Sequence, residues 1–350
     1  TVNRQIPQHH KLAGLTVKTS NLCSEITLPT GIDKNGRDRT AVCCLSSLNL
    51  EKYDEWKDDN VMINDVMRFL DNVLTDFIER APEQFDDAKY SAEKERSVGL
   101  GVMGFHSYLQ QHSIPLESVM SKAWNKKIFK HIQEHVDQAS KDLADERGAC
   151  PDAADYGFNE RFSNKTAIAP TASISIICGG ASPGVEPVAA NSYTHKTLSG
   201  SFNVRNRYLV ELLEKHGKNN DDVWSGITTN QGSVSHLDFL TDLEKDVFKT
   251  AFELDQKWII ELSGDRTPFI SQAQSINLFV PADIHKRELH KIHFDAWKKG
   301  LKSLYYCRSK SIQRAENVND TKATDVTANV YKSKPQTTEQ PEYEECLSCQ

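Results

Sequence analysis

Apolar residues recur at helical spacing in several stretches of the chain. Met62, Val66, Phe69, Leu70, Val73, Phe77 and Ile78 predict one helix. Trp124, Ile128, Ile132, Val136, Ala139 and Leu143 predict a second, with Arg147 near its end and Gly148 placed to cap it. Leu209, Leu212 and Leu213 mark a shorter helix closed by Gly217. Thr241 and Glu244 form a capping-box pattern. Behind them Val247, Phe248, Ala251, Leu254 and Leu262 read as a long apolar stripe. Leu289, Ile292 and Ala296 line a further helix, stopped by Gly300. Short strand-like runs lie between the helices: 42–45, 166–169, 276–280 and 301–306. Helices alternating with short apolar strands predict an α/β fold with parallel strands. No internal repeat is present.

Past Tyr306 the pattern changes. Residues 308–345 are rich in Lys, Glu, Asn, Thr and Gln and hold few large apolar groups. Such a segment cannot bury enough surface to offset its ordering entropy, so it reads as a mobile tail. It ends in Cys346-Leu347-Ser348-Cys349-Gln350.

Composition narrows the class. The 350 residues carry a net charge of −7, 38% hydrophobic and 26% charged residues, which is ordinary for a globular chain of one large or two smaller domains. No apolar run approaches the roughly 20 residues that span a bilayer. The N-terminal residues Thr1–Gln5 lack a signal peptide's apolar core, so a cytoplasmic protein is expected. Mild acidity argues against a nucleic-acid binder, which would show a basic stripe. It leaves room for single nucleotides, whose phosphates backbone N–H groups can hold. Eight cysteines in such a chain point to redox chemistry, metal or core rather than a disulfide scaffold.

Five segments carry candidate chemistry. In Ser20-Asn21-Leu22-Cys23-Ser24-Glu25-Ile26, alternate side chains of an extended strand or finger-like loop would share a face. Asn21, Cys23 and Glu25 would then offer an amide, a thiol and a carboxylate, suited to binding hydroxyls and moving a proton. The same spacing also fits a strand with one buried cysteine between solvated groups. Cys43-Cys44 sits on an apolar strand, where neighbours point to opposite faces; one thiol can face a pocket and the other the packing, or both can be core. Ala169-Pro170-Thr171-Ala172-Ser173-Ile174, with Gly179, Gly180 and Gly184 behind it, suits a phosphate cradle or an ordinary loop, and lacks the P-loop pattern. Tyr305-Tyr306 ends a strand and by itself reads as aromatic packing. Cys346-x-x-Cys349 is either half of a metal site or a thiol–disulfide shuttle, and the tail has no His to complete a zinc site.

Together and in this order, these segments resemble the large subunit of class I ribonucleotide reductase. The likeness covers nearly the whole chain. It includes the finger loop Asn21-Leu22-Cys23-x-Glu25, Val42-Cys43, Arg96–Phe105, Gly148–Pro151, Pro170–Ser173, Leu304-Tyr305-Tyr306 and the terminal cysteine pair. The resemblance implies the second half of that family's ten-stranded α/β barrel over residues 1–307, then a mobile redox tail over 308–350. It implies reduction of ribonucleoside diphosphates to 2′-deoxyribonucleotides for DNA synthesis. Cys23 would become a thiyl radical, Glu25 would take the 3′-hydroxyl proton and Asn21 would bind the sugar hydroxyls. Cys43 would be one member of the redox pair, and Cys346 and Cys349 would reduce it with electrons from thioredoxin or glutaredoxin. Tyr305 and Tyr306 would carry the oxidising equivalent. Thr171, Ala172, Ser173 and Ile174 would hold the substrate phosphates, with backbone donors serving where Ala172 and Ile174 lack hydroxyls.

The resemblance implies no directly bound cofactor or metal; a metal cofactor on a separate small subunit would generate the radical. The tyrosine pair favours class I over cobalamin-dependent enzymes, and the tail lacks a glycyl-radical motif. A decayed, non-catalytic fragment is the remaining alternative, and retention of these residues together argues against it. The family's large subunit is longer, and its N-terminal half, with the allosteric specificity site and the other redox cysteine, does not match here. A partner chain carrying that half, as in a split gene, or a longer parent polypeptide is therefore expected, since a half-barrel exposes strand edges. His131 and His135, four apart, read as a solvated face rather than a metal site, His285, His290 and His293 as surface groups, and Cys150, Cys178 and Cys307 as buried or inert thiols.

Overall fold

The computed structural model describes residues 2–197 and 200–309, and for 195–197 and 200–202 the backbone alone. The tail cysteines Cys346 and Cys349 lie outside the described residues. A run of parallel strands forms the centre. Strand β1 (Cys44–Asn49) pairs in parallel with β2 (Val98–Met103), Cys44 opposite Val98 and Asn49 opposite Met103. Leu100 of β2 bridges in parallel to Thr166, and Ile168 to Gln274. The chain running on from Gln274 enters β3 (Leu278–Val280), which pairs in parallel with β4 (Cys307–Ser309). The expected α/β architecture is therefore present, and no closed barrel forms among the described residues.

The strand bounds shift by a few residues from the sequence expectation. The 42–45 run becomes β1 two residues later, 166–169 makes single bridges only, and the last strand begins at Cys307. Strand β2 was not foreseen as a strand. All six of its residues are buried, and its glycines hide it from a search for β-branched runs. Those glycines are needed there: a Cβ on Gly101 would collide with the Ala167 carbonyl oxygen of the neighbouring segment.

Helices cover the strands. Helix α1 (Met62–Arg80) buries Ile63, Met67, Leu70 and Leu74. Phe69 and Val73, assigned to its stripe from spacing, are exposed instead. Its apolar residues spread over a wider arc than the face that packs. Helix α2 (Val119–Arg147) buries Ile128, Ile132, Val136, Ala139 and Leu143 as predicted. Ser118 caps its start by accepting from Ser121 N, and Gly148 follows its end with φ 87°.

The stripe read across 247–262 is broken into two helices. The capping box of Thr241 and Glu244 opens only Asp242–Val247. The backbone then turns to serve tertiary partners: Phe248 O accepts from Asn191 Nδ2, and Ala251 N donates to Val188 O. Asp255 caps a fresh helix, Gln256–Arg266. Leu209, Leu213, Trp224, Ile227, Val247 and Phe248 form a satellite core beside the main one. The last helix, Lys286–Lys298, turns at Gly300 (φ 81°) into the segment that carries the tyrosines.

Candidate active site

The segment around Cys23 is a tight turn rather than an extended strand. Ser24 N donates to Asn21 O (3.1 Å), and Ser24 takes a left-handed φ of 66°. Asn21 Oδ1 accepts from Ile26 N (3.0 Å), closing the loop from within. Simple side-chain alternation therefore does not operate here; the turn itself puts Cys23 at the tip.

Two other segments hold this loop in place. Ala273 N donates to Glu25 O (2.9 Å), and Gln272 Oε1 accepts from Thr27 N (3.1 Å). Ser275 Oγ lies 3.0 Å from Glu25 Oε2 and also bonds to Cys23 O. On the other side, Ser24 Oγ donates to Leu304 O (3.2 Å), and Ser303 Oγ donates to Ser24 O (2.8 Å). Glu25 is thereby buried, at 2% exposure, against a hydroxyl, and among the described residues no basic side chain bonds to it.

The backbone that pins the loop also aims the tyrosines. Tyr305 N donates to Ile276 O, Tyr306 N donates to Asn277 Oδ1 (3.1 Å), and Leu278 N donates to Tyr306 O. The Cys23 thiol then lies 3.5 Å from Tyr305 Oη, across 282 positions of sequence. The Tyr305 and Tyr306 rings lie in tilted contact, with centroids 4.0 Å apart and planes 35° apart. Burial, with hydrogen bonds to Tyr306 and Cys23, pushes the Tyr305 phenol above its usual range. Tyr306 is 43% exposed, and the Arg308 guanidinium sits 5.4 Å from its ring centroid. Beneath it, buried Asn277 donates to Glu186 Oε1 (2.8 Å), whose carboxyl burial pushes up to about 7.

Cys43 and Cys44 diverge as adjacent strand residues should. Cys44 packs on the main core, and burial raises its thiol. Cys43 Sγ instead accepts from Gln272 Nε2 (3.2 Å) beside the loop that carries Glu25. Burial pushes the Cys43 thiol up to about 12, opposed by that hydrogen bond and reinforced by nearby Cys44, Glu95 and Glu25.

The glycine-rich turn is also well defined. Thr171 is buried with φ 56°, and its Oγ1 accepts from Gly184 N (2.7 Å). Its carbonyl accepts from Ser175 N. Ser173, exposed, precedes the single-turn helix Ile174–Ile177, and Ala172 is half-buried. The Thr171 hydroxyl thus builds the turn, leaving Ser173 as the hydroxyl that faces outward.

The remaining candidates sort clearly. Of the three thiols expected to be buried or inert, Cys150 is buried, and Cys178 and Cys307 are exposed. His285, His290 and His293 are exposed. His131 and His135 stack edge to face, and His131 Nδ1 lies 3.0 Å from Tyr53 Oη, so His131 belongs to a half-buried aromatic cluster rather than a solvated face. No group of three or more metal-ligating side chains occurs among the described residues, nor any helix long and apolar enough to cross a membrane. Composition and spacing passed over Gln272, Ser275, Asn277, Ser303 and Glu186. The one available signal was an uncharged polar run, Ser271-Gln272-Ala273-Gln274-Ser275, leading directly into a buried strand.

Comparison with known proteins bears on the whole of this arrangement. The family model described as "Ribonucleotide reductase, barrel domain" matches residues 1–159 and 152–307. The chain is 52% identical over 301 residues to the ribonucleoside-diphosphate reductase large subunit of Invertebrate iridescent virus 6, covering 85% of this chain and 31% of that one. It is 39% identical over 353 residues to the putative ribonucleoside-diphosphate reductase large subunit of Frog virus 3, covering 100% of this chain and 58% of the relative. Among solved structures, the Actinobacillus ureae class Id ribonucleotide reductase alpha subunit superposes with a TM-score of 0.81 at 38% identity, over 91% of this chain and 58% of that one. The chain therefore spans between about a third and about three-fifths of the length of these relatives.

Proposed function

The chain belongs to the ribonucleotide reductase family through its barrel domain, and on that premise we propose that it supplies the radical-bearing half of a ribonucleoside-diphosphate reductase large subunit. One observation carries this reading. An exposed tyrosine, a second tyrosine in ring contact with it and a thiol form one contact path, at 4.0 Å between rings and 3.5 Å from phenol to sulfur. Such a path suits hydrogen-atom relay, because each phenol can lose a proton and an electron together.

In this reading the oxidising equivalent comes from the metal cofactor of a separate small subunit and enters at Tyr306. Oxidised Tyr305 takes the hydrogen of the Cys23 thiol, giving a phenol and a thiyl radical. The thiyl radical abstracts the 3′-hydrogen of a ribonucleotide, restoring the thiol and leaving a radical on the sugar. Glu25 accepts the 3′-hydroxyl proton, and Asn21, whose Oδ1 is spent on Ile26 N, offers its Nδ2 to the sugar hydroxyls. The 2′-hydroxyl leaves as water. The proton for that water and the hydrogen that C2′ gains, with the two electrons required, come from the thiols of Cys43 and a second cysteine in the portion of the large subunit that this chain does not span, which become a disulfide. Glu25 returns its proton to the 3′-oxygen, and Cys23 returns its hydrogen to C3′, regenerating the thiyl radical. Cys346 and Cys349 then reduce that disulfide by exchange, and thioredoxin or glutaredoxin restores them.

The outward Ser173 hydroxyl and the backbone N–H groups of 172–174 would receive the substrate's phosphates, with Thr171 shaping the turn. The burial of Glu25 against the Ser275 hydroxyl, with no basic partner among the described residues, supports its use as a proton acceptor rather than a structural anion.

The test is an assay of deoxynucleotide formation by this chain together with the rest of the large subunit and the small subunit. Cys23→Ser is expected to abolish product while nucleotide still binds. A serine variant that keeps turning over would sink the assignment.

A further inference from the structure

Both donors and the acceptor oxygen of the Gln272 carboxamide are engaged. Its Nε2 donates to Cys43 Sγ (3.2 Å) and to Val98 O (3.1 Å). Its Oε1 accepts from Thr27 N (3.1 Å). An amide nitrogen has two hydrogens, and both are used. Flipping the group would set its oxygen against the Val98 oxygen and its N–H against the Thr27 N–H, so the network admits one orientation. The side chain is 1% exposed, and its own N donates to Thr166 O (3.0 Å). Across the thiol, Gly99 leaves the room: a Cβ there would lie 3.3 Å from Cys43 Sγ.

We propose that Gln272 is a positioning residue that orients Cys43, favours its thiolate, and ties that sulfur to the loop bearing Cys23 and Glu25. A donor aimed at sulfur is worth more to the anion than to the neutral thiol, because hydrogen bonds to charged acceptors are the stronger ones. Around Cys43 the other influences point the opposite way: burial, the neighbouring Cys44 thiol, and the Glu95 and Glu25 carboxyls all disfavour the anion. Gln272 is the one group among its neighbours that favours it. The same carboxamide fixes the backbone at Thr27, two residues beyond Glu25. One side chain therefore sets the spacing between the redox thiol and the turn that presents the radical thiol. The catalytic meaning of this rests on the redox role proposed for Cys43; the effect on thiol reactivity does not.

The test follows Cys43 alkylation by iodoacetamide in the full chain, peptide by peptide in a mass spectrometer, as pH is raised. Gln272→Met keeps the length and removes both donors. It is expected to slow Cys43 alkylation roughly ten-fold at each pH, as loss of one hydrogen bond to a charged acceptor implies, while exposed Cys178 reacts as before. An unchanged or faster Cys43 rate in a folded Gln272→Met protein overturns the proposal. Should that variant fail to fold, the wild-type chain carrying 15N-glutamine answers instead. The Gln272 side-chain amide signals are expected to move on Cys43→Ala substitution, and signals that stay fixed overturn the proposal. Neither readout uses turnover. Activity surviving in Cys23→Ser would therefore defeat the reductase reading without touching this one.

Discussion

Two buried polar regions of this molecule treat ionisable groups in opposite ways. Around Asp71, charge is clamped. The carboxylate is fully buried and meets Arg96 at 2.7 Å, Arg147 at 2.8 Å and Arg161 at 2.9 Å, joining α1, the end of α2 and the loops before and after. Burial pushes the Asp71 carboxyl up, but the arginines outweigh it and hold it below its usual range. Burial lowers the Arg96 guanidinium too, yet from so high a value that it stays charged. Asp33, bonded by Arg39 and Tyr90, is likewise held down, to about 2. Around Cys23 and Cys43, by contrast, the fixing groups are serine, glutamine and asparagine side chains and backbone amides. There the Cys43 thiol and the Tyr305 phenol are both pushed up. The first region spends its ionisable groups on holding elements together. The second keeps protons on the Cys43 sulfur and the Tyr305 phenol, which suits the hydrogen-atom relay we propose.

The largest expected loss from a single substitution comes from breaking the clamp. Asp71→Asn leaves buried guanidinium charge without its counter-ion, and should cost roughly 3–5 kcal/mol in denaturant unfolding. A loss below about 1 kcal/mol would mean that water already solvates those arginines.

A pH series sharpens the contrast. Burial raises the Glu95 carboxyl from its ordinary 4.5 to about 8. The folded state therefore binds a proton that the unfolded chain has released, so stability falls as pH rises between these values. The wild type should lose on the order of 5 kcal/mol across that window through this group, and Glu95→Gln should not. Asp33 works in the other sense: its contribution is complete above 3.8 and is lost as pH falls through about 2. Thermal melting of wild type and Glu95→Gln over pH separates the two, and identical curves would remove Glu95 from the account.

These regions were not equally legible in the sequence. Helix α2 was, because a 3.6-residue period, a basic residue in the last turn and a terminal glycine all agreed. The two-helix break at 248–255 was not, because the pull of Asn191 and Val188 on that backbone is tertiary. Strand β2 was hidden by glycines whose reason is the close approach of Ala167. In the site, Cys23, Cys43 and the tyrosines were found through their order along the chain, as a family likeness. The alternation argument for Asn21, Cys23 and Glu25 failed, since Ser24 makes a turn there. Gln272, Ser275 and Asn277 left only the faint trace of an uncharged polar run before a buried strand, because neutral polar residues become informative only once their partners are known.

The smallest effect concerns that turn. Ser24→Gly relieves a left-handed φ that costs a non-glycine residue about 1 kcal/mol, but it also removes the hydrogen bond to Leu304 O, worth about the same. Stability should therefore change by less than about 0.5 kcal/mol, and a larger gain would show that the hydroxyl contributes nothing to seating the loop.

The central claim is that Tyr305 hands its oxidation to Cys23, and Tyr305→Phe tests it most directly. The substitution keeps the ring in contact with Tyr306 and removes only the oxygen 3.5 Å from the sulfur. With the rest of the large subunit and the small subunit present, the account predicts unchanged fold and nucleotide binding and no deoxynucleotide formation. Product formation by Tyr305→Phe at a rate near wild type would contradict it.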